Sequence, residues 1–158
     1  VKQKIYIETS VVSYLIANSS RNLIVAARQA TTIALWEQLS YYDVFISDIV
    51  LQESAKGDKN LAEKRTQALI AFSVLQIDDE AKQLAQELIN SKSIPEKCPE
   101  DALHIAVAAV NGMDIVVTWN FKHINNPFTR KRIRENIEQH GWNCPELCSP
   151  EELLGDEV

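Results

Sequence analysis

Short β-branched runs alternate with longer helical stretches along this chain, and that alternation limits the fold more than any other feature. The clearest strand is Ile115–Thr118, with Ile, Val, Val and Thr in sequence. The helix before it begins near Pro99, a residue suited to a first helical position, and stops at Gly112. Lys4–Ile7, Val44–Ile46 and Val74–Ile77 read as further strands. Ser10 is placed to cap a short helix through Leu15, and Ser47 or Asp48 one through Lys56 that Gly57 ends. Leu23–Leu39 and Leu61–Ala71 are helical and well suited to pair. Asp78 caps a helix to about Asn90, and Pro127–His140 is helical up to Gly141. Ser149, Pro150 and Glu152 form a capping-box start for a last short helix. Apolar strands alternating with helices imply an α/β protein with a mostly parallel sheet covered on both faces.

The 158 residues suit one domain, 1–158, with a sizeable core, and no internal repeat or linker divides them. A formal net charge of -6 argues against a protein that coats nucleic acid by charge alone. Any such contact must use a local patch or a metal ion. No apolar run approaches the roughly 20 residues of a membrane span, and the first residues lack signal-peptide character. Cys98, Cys144 and Cys148 are an odd set at spacings unlike a disulfide framework, so a reducing cytoplasm is the expected location. Cys144 and Cys148 lack a second Cys or His pair to complete a zinc site and read as buried or half-buried thiols.

Parallel α/β sheets place their sites beyond the carboxyl ends of the strands. Glu8, in "IYIETSVVSYL", lies at the end of the first strand. Glu53, in "SDIVLQESAKG", follows Ile49 by four and Val50 by three, so it shares their inward face. Asp101 sits in the first turn of the helix after Pro99, with His104 and Ile105 on its buried side. Asn120 follows the Ile115–Thr118 strand. Each alone has a plain reading as a turn, cap or surface residue; the coincidence of all four at one sheet edge points to a site. Clustered carboxylates repel unless a cation lies between them, and oxygen ligands suit Mg²⁺ or Mn²⁺. Such an ion activates water and stabilises a leaving group in phosphodiester cleavage.

The stretches "IYIETSVVSYL", "SDIVLQESAKG", "IPEKCPEDALHIAVAAVNGMDIVVTWNFKHI" and "CSPEEL" resemble, in this order and over nearly the whole chain, the PIN domain, in particular VapC-like toxins of toxin–antitoxin pairs. The segment from Asp101 to Ile124 is the most specific. The resemblance implies an α/β/α sandwich and a metal-dependent ribonuclease with RNA as substrate. It also implies a cognate antitoxin and frequent homodimers. The family's acidic site maps onto Glu8, Glu53, Asp101 and Asn120, and its hydroxyl after the first acid onto Thr9 or Ser10. Two positions depart from the usual pattern: Glu8 replaces an Asp, and Asn120 stands where Asp is frequent. With three formal negatives, Glu8, Glu53 and Asp101, the expectation is weaker binding of a second cation and one ion in the absence of substrate, assisted by the Asn120 amide oxygen or a bound water.

His104 reads as a satisfied core histidine or as a donor to the acidic site. Trp119 either stacks on a base or covers the sheet end. Lys122 and His123 contact phosphate or form a solvated loop. Arg130, Lys131, Arg132 and Arg134, the densest basic stretch, form an ordinary polar helix face or an RNA-backbone or antitoxin contact. The competing function is a PIN-fold RNA- or protein-binding module with little or no nuclease activity, supported by the Glu8 and Asn120 departures. A metal-dependent phosphatase is weaker still, because it needs a nucleophilic Asp where Glu8 stands.

Overall fold

The computed structural model describes residues 1–155. Five strands, β1 (Lys4–Ile7), β2 (Asp43–Ser47), β3 (Ser73–Leu75), β4 (Ile115–Val117) and β5 (Glu146–Cys148), form one sheet in the order β3-β2-β1-β4-β5. Every pairing is parallel. The connecting helices are α1 (Thr9–Ile16), α2 (Leu23–Glu37), α3 (Asp48–Ser54), α4 (Lys59–Leu69), α5 (Asp79–Asn90), α6 (Pro99–Val110) and α7 (Pro127–Gln139), and α8 (Pro150–Leu154) closes the described chain. The expected α/β/α architecture is therefore present, with a wholly parallel sheet.

The chain winds outward from β1 through β2 to β3, then crosses to β4 and β5. Right-handed crossovers put α1–α4 on one face and α5–α7 on the other. Packing follows: α1 lies against α2, α3 and α4, and α5 lies against α6 and α7. Leu23–Glu37 and Lys59–Leu69 thus flank α1 instead of forming the simple pair expected from their patterns. Strand order reverses between β1 and β4, the place where an open parallel sheet leaves a crevice at its carboxyl edge.

Ile5, Tyr6 and Ile7 on the central strand are wholly buried. Helix α6 is also sunk into the core, with Ala102, Ile105, Ala106, Val107 and Ala108 fully buried. Its small side chains let it lie close to the sheet. Among the described residues no helix is long and apolar enough to cross a membrane.

Several local expectations change. β5 escapes the sequence reading because Glu-Leu-Cys contains no β-branched residue; Leu147 is buried there while Glu146 is exposed. β3 starts earlier than expected and ends at Leu75. Glu8, not Ser10, caps α1: its carboxylate accepts the Ser10 N–H, and Thr9 already lies inside the helix. Ser47 stands at the N-cap of α3 but makes no side-chain cap bond, because its hydroxyl is taken by Tyr6, and α3 ends at Ser54 instead of Lys56. Asp58, Asp78 and Asn126 each accept first-turn N–H groups, and Ser149 with Glu152 forms the expected capping box.

Candidate functional site

The β1–β4 crevice gathers side chains from five parts of the chain. Glu8 leaves β1 and is joined to the next strand by its N–H, which donates to the Val117 carbonyl at 3.1 Å. Its carboxylate is almost completely buried. Oε1 accepts the Thr118 hydroxyl at 2.6 Å and the Ser10 hydroxyl; Oε2 accepts the Ser10 amide at 3.0 Å. Thr118 and Ser10 also fix the chain beyond β4: Thr118 Oγ1 accepts the Asn120 N–H at 2.9 Å, and Ser10 Oγ accepts the Trp119 N–H at 2.9 Å. Ser10 thus positions Glu8 and the β4 loop together.

Glu53, near the end of α3, faces the same crevice. Its Oε1 accepts the Thr9 hydroxyl at 2.6 Å and lies 2.6 Å from His104 Nε2. The other ring nitrogen of His104, Nδ1, is 2.6 Å from the Tyr6 hydroxyl, which is 2.7 Å from Ser47 Oγ. The result is a buried chain, Ser47–Tyr6–His104–Glu53, crossing from the sheet to the crevice. Burial pushes the Tyr6 phenol far above its ordinary value, so it carries a proton throughout the accessible range. Burial opposes a charged His104, but Glu53 by hydrogen bond, with the charges of Glu8, Glu53 and Asp101, raises it above the usual histidine value. Burial likewise opposes a charged Glu53, yet His104, Thr9 and Lys56 hold it below the usual glutamate range. In either protonation state of His104 the chain closes. As imidazolium, Nδ1–H donates to Tyr6 and Tyr6 donates to Ser47; as neutral imidazole, Tyr6 donates to Nδ1 and accepts from Ser47. Nε2–H donates to Glu53 in both cases. His104 is therefore both the satisfied core histidine and the donor to the acidic site.

Asp101 occupies the third position of α6 and is half-buried. Burial and the Glu8 charge push its carboxyl above the usual aspartate range, against the opposing influence of Asn120, His104 and His123. His123 Nδ1 lies 3.2 Å from its Oδ2. Asn120 differs from expectation in one detail. Its Oδ1 accepts the His123 N–H at 3.0 Å, which turns the loop, so the amide nitrogen is the end left to face Asp101. A carboxamide can donate to Asp101 where a carboxylate would repel it.

Ligand atoms of Glu8, Glu53 and His104 lie within 4.8 Å of one another, as do those of Cys98, Asp101 and His123. The donor set fits a hard cation. Glu8 and Glu53 are both oriented by hydroxyl donors, and the bonds to Glu53 fall on Oε1, leaving Oε2 without a protein hydrogen bond among the described residues. Burial first, and the Glu8 charge second, raise the Asp101 carboxyl, and a cation beside it would offset both. His104 offers little to a metal directly, because both ring nitrogens are engaged; it holds a ligand in place.

The other sequence candidates lie farther from this centre. Trp119 is buried, donates through Nε1 to Thr32 at 2.8 Å, and sits beside Tyr14 and Phe121 with the Arg28 guanidinium 5.5 Å from its ring. It covers the sheet end and offers no free face. Lys122 is exposed, whereas His123 is turned toward Asp101. The basic stretch on α7 splits. Arg130 pairs with Glu152 at 3.3 Å, and Arg134 with Glu146 at 3.2 Å and Glu138 at 3.8 Å; Lys131 and Arg132 are exposed. Sequence reasoning did not single out Tyr6, Ser47, Thr118 or Cys98. A tyrosine flanked by isoleucines in a buried strand was the available sign for Tyr6; the others depend on contacts between distant segments.

Comparison with known proteins agrees with this layout. No curated protein matched the chain. Among solved structures, a chain of VapBC2 from Rickettsia felis, determined bound to a DNA fragment from its promoter, is similar with a TM-score of 0.61 and 18% identity. That match covers 93% of this chain and 98% of that one. VapC20 from Mycobacterium tuberculosis, a toxin that cleaves the sarcin–ricin loop, is similar with a TM-score of 0.57 and 20% identity, over 80% of this chain and 94% of that one. The PIN domain family model matches residues 5–150, a span that holds all of the sheet but Lys4 and every carboxylate of the crevice, and the chain therefore belongs to the PIN domain family.

Proposed function

We propose that the protein is a divalent-metal-dependent ribonuclease, the toxin of a toxin–antitoxin pair. The observation that supports this reading is the closeness of Glu8 and Glu53 at the carboxyl edge of β1, each oriented by hydroxyl donors, with Asp101 in the neighbouring group and near enough to feel the Glu8 charge. These three carboxylates would hold Mg²⁺ or Mn²⁺. When bound, such an ion polarises a phosphodiester, lowers the pKa of a water and stabilises the leaving oxygen.

The chain's own residues prepare that site. Thr118 and Ser10 fix Glu8, so the extra methylene of Glu relative to Asp is absorbed by capping α1. Thr9 and His104 fix Glu53, and Tyr6 fixes His104. Asn120 shapes the loop that holds His123 beside Asp101. The exposed Lys122, two residues past Asn120, and the exposed Lys131 and Arg132 on α7 are the cations assigned to RNA contact on this reading. Arg130 and Arg134 are compensated by glutamates and contribute less. The VapBC neighbour supports a protein partner of antitoxin type, and Leu23 and Ile24 at the start of α2 and Ile70 after α4 are exposed apolar residues suited to it, or to a second copy of the chain.

One observation favours the binding-only alternative. Glu8 already receives three hydrogen bonds from the protein, which compensate its charge without a cation. Incubation of a mixed RNA pool with the purified chain decides between the two. Cleavage that requires Mn²⁺ or Mg²⁺, stops on chelation and disappears in Asp101→Ala supports the nuclease. RNA retention without cleavage in any divalent ion supports the binding module.

A further inference from the structure

Beside the acidic crevice stands a second group of different chemistry. Cys98 is the residue immediately before α6, Asp101 lies three residues on in its first turn, and His123 arrives from the loop after β4. Cys98 Sγ lies 3.5 Å from His123 Nδ1, and Asp101 Oδ2 lies 3.2 Å from the same nitrogen. The three ligand atoms fall within 4.8 Å of one another. All three side chains are half-buried, so one side of the group remains open to solvent.

Thiolate, imidazole and carboxylate on one small perimeter are the ligands of a borderline-soft transition ion, not of Mg²⁺. Three protein ligands with an open fourth position match the tetrahedral preference of zinc with a water or other small donor completing the shell. The ligands are also supported. Cys98 and Asp101 are tied by the bond from the Asp101 N–H to the Cys98 carbonyl, and the His123 backbone is held by Asn120 Oδ1. The other two cysteines have no part in it: Cys144 and Cys148 lie around β5, and burial pushes their thiols up to about 11 and about 12.

We propose that Cys98, Asp101 and His123 form a binding site for Zn²⁺ or a similar thiophilic divalent ion, next to the carboxylate site and sharing Asp101 with it. Ion binding displaces the thiol proton of Cys98 and draws Asp101 toward His123. On the ribonuclease reading, on which this consequence alone rests, the site is inhibitory, because an ion that draws Asp101 Oδ2 toward Cys98 and His123 takes up charge and orientation that the carboxylate site needs.

Cobalt(II) titration of the metal-stripped full chain is the direct test. A near-ultraviolet thiolate-to-cobalt band is expected at one equivalent, displaced by Zn²⁺, absent in Cys98→Ser and retained when Cys144 and Cys148 are both replaced by Ser. His123→Ala should weaken binding by at least the roughly 10–100-fold lost when even a supporting partner of a metal ligand is removed. A wild-type measurement guards against a variant that fails to fold: Zn²⁺, but not Mg²⁺, should protect Cys98 from maleimide, read by peptide mapping. No thiolate band, a band that survives Cys98→Ser, or unprotected Cys98 overturns the site. These readouts do not depend on RNA cleavage, so they stand if the nuclease reading fails. For inhibition, Zn²⁺ is titrated against Mn²⁺-supported cleavage, each protein normalised to its own rate. At least a tenfold loss of zinc sensitivity in Cys98→Ser supports the shared Asp101, and equal sensitivity overturns it.

Discussion

Replacing Tyr6 by Phe isolates the buried chain that links the sheet to the carboxylates of the crevice. The ring is wholly buried between Ile5 and Ile7, so Phe keeps the packing and leaves no large cavity. What disappears is one hydroxyl with two partners, Ser47 Oγ at 2.7 Å and His104 Nδ1 at 2.6 Å. The Ser47 hydroxyl can reorient by rotating about its own C–O bond. The imidazole nitrogen has no such freedom, because its ring is held by Glu53 at the opposite edge. Leaving a buried polar group unpaired costs about 1–3 kcal/mol. For a chain of this length each kcal/mol moves Tm by about 2–4 °C, so Tm should fall by ~2–12 °C. Loosening His104 also loosens Glu53, and Mn²⁺ affinity should fall by roughly 10–100-fold, as for other lost partners of ligand-orienting groups. Thermal unfolding with and without Mn²⁺, together with calorimetric titration, measures both. Ser47→Ala is the internal control: it leaves the Tyr6–His104 bond in place and should disturb metal affinity much less. A Tyr6→Phe protein with unchanged Tm and unchanged Mn²⁺ affinity would refute the idea that this chain positions Glu53.

Three further outcomes follow from the same contacts. Asn126 caps α7 and accepts the N–H groups of Phe128 and Thr129, so Asn126→Ala should cost about 0.5–2 kcal/mol in chemical denaturation. Burial opposes a charged Glu152, but the Ser149 N–H, Asn125 and Arg130 hold its carboxyl below the usual value. Its contribution to stability should be complete above pH 4.5 and fade as pH falls through the lower folded value, a dependence that Glu152→Gln should remove from a Tm-versus-pH series. For RNA binding, Lys131→Ala with Arg132→Ala should flatten the salt dependence by about 1.4 in log–log slope, at about 0.7 per lost contact to a single strand, whereas Arg130→Ala with Arg134→Ala should change it less. Equal slopes for the two double variants would reject the division of that helix.

The sequence by itself determined the class of fold and named the candidates for the acidic set. Period, caps and stops depend on neighbours within a few residues, so Pro99, Gly112, Asp78 and the Ser149 capping box were legible without any tertiary contact. The rule that parallel sheets gather groups at their carboxyl edge then singled out Glu8, Glu53, Asp101 and Asn120 from an acidic chain. β5 was not legible, because three residues of weak strand propensity become a strand only when β4 offers its edge. Nor were the roles within the site. Whether Ser10 caps a helix or braces Glu8, whether His104 fills the core or holds Glu53, and which end of Asn120 meets Asp101 depend on atoms about 20 to 110 residues apart. Cys98 shows the same limit most clearly. In the sequence it is a lone thiol before a proline, and only the turn after β4, by bringing His123 onto the first turn of α6, gives it ligand-bearing neighbours. Local preference acts over a few bonds, whereas a hydrogen bond or a ligand shell acts over a few ångströms, and the fold converts one into the other.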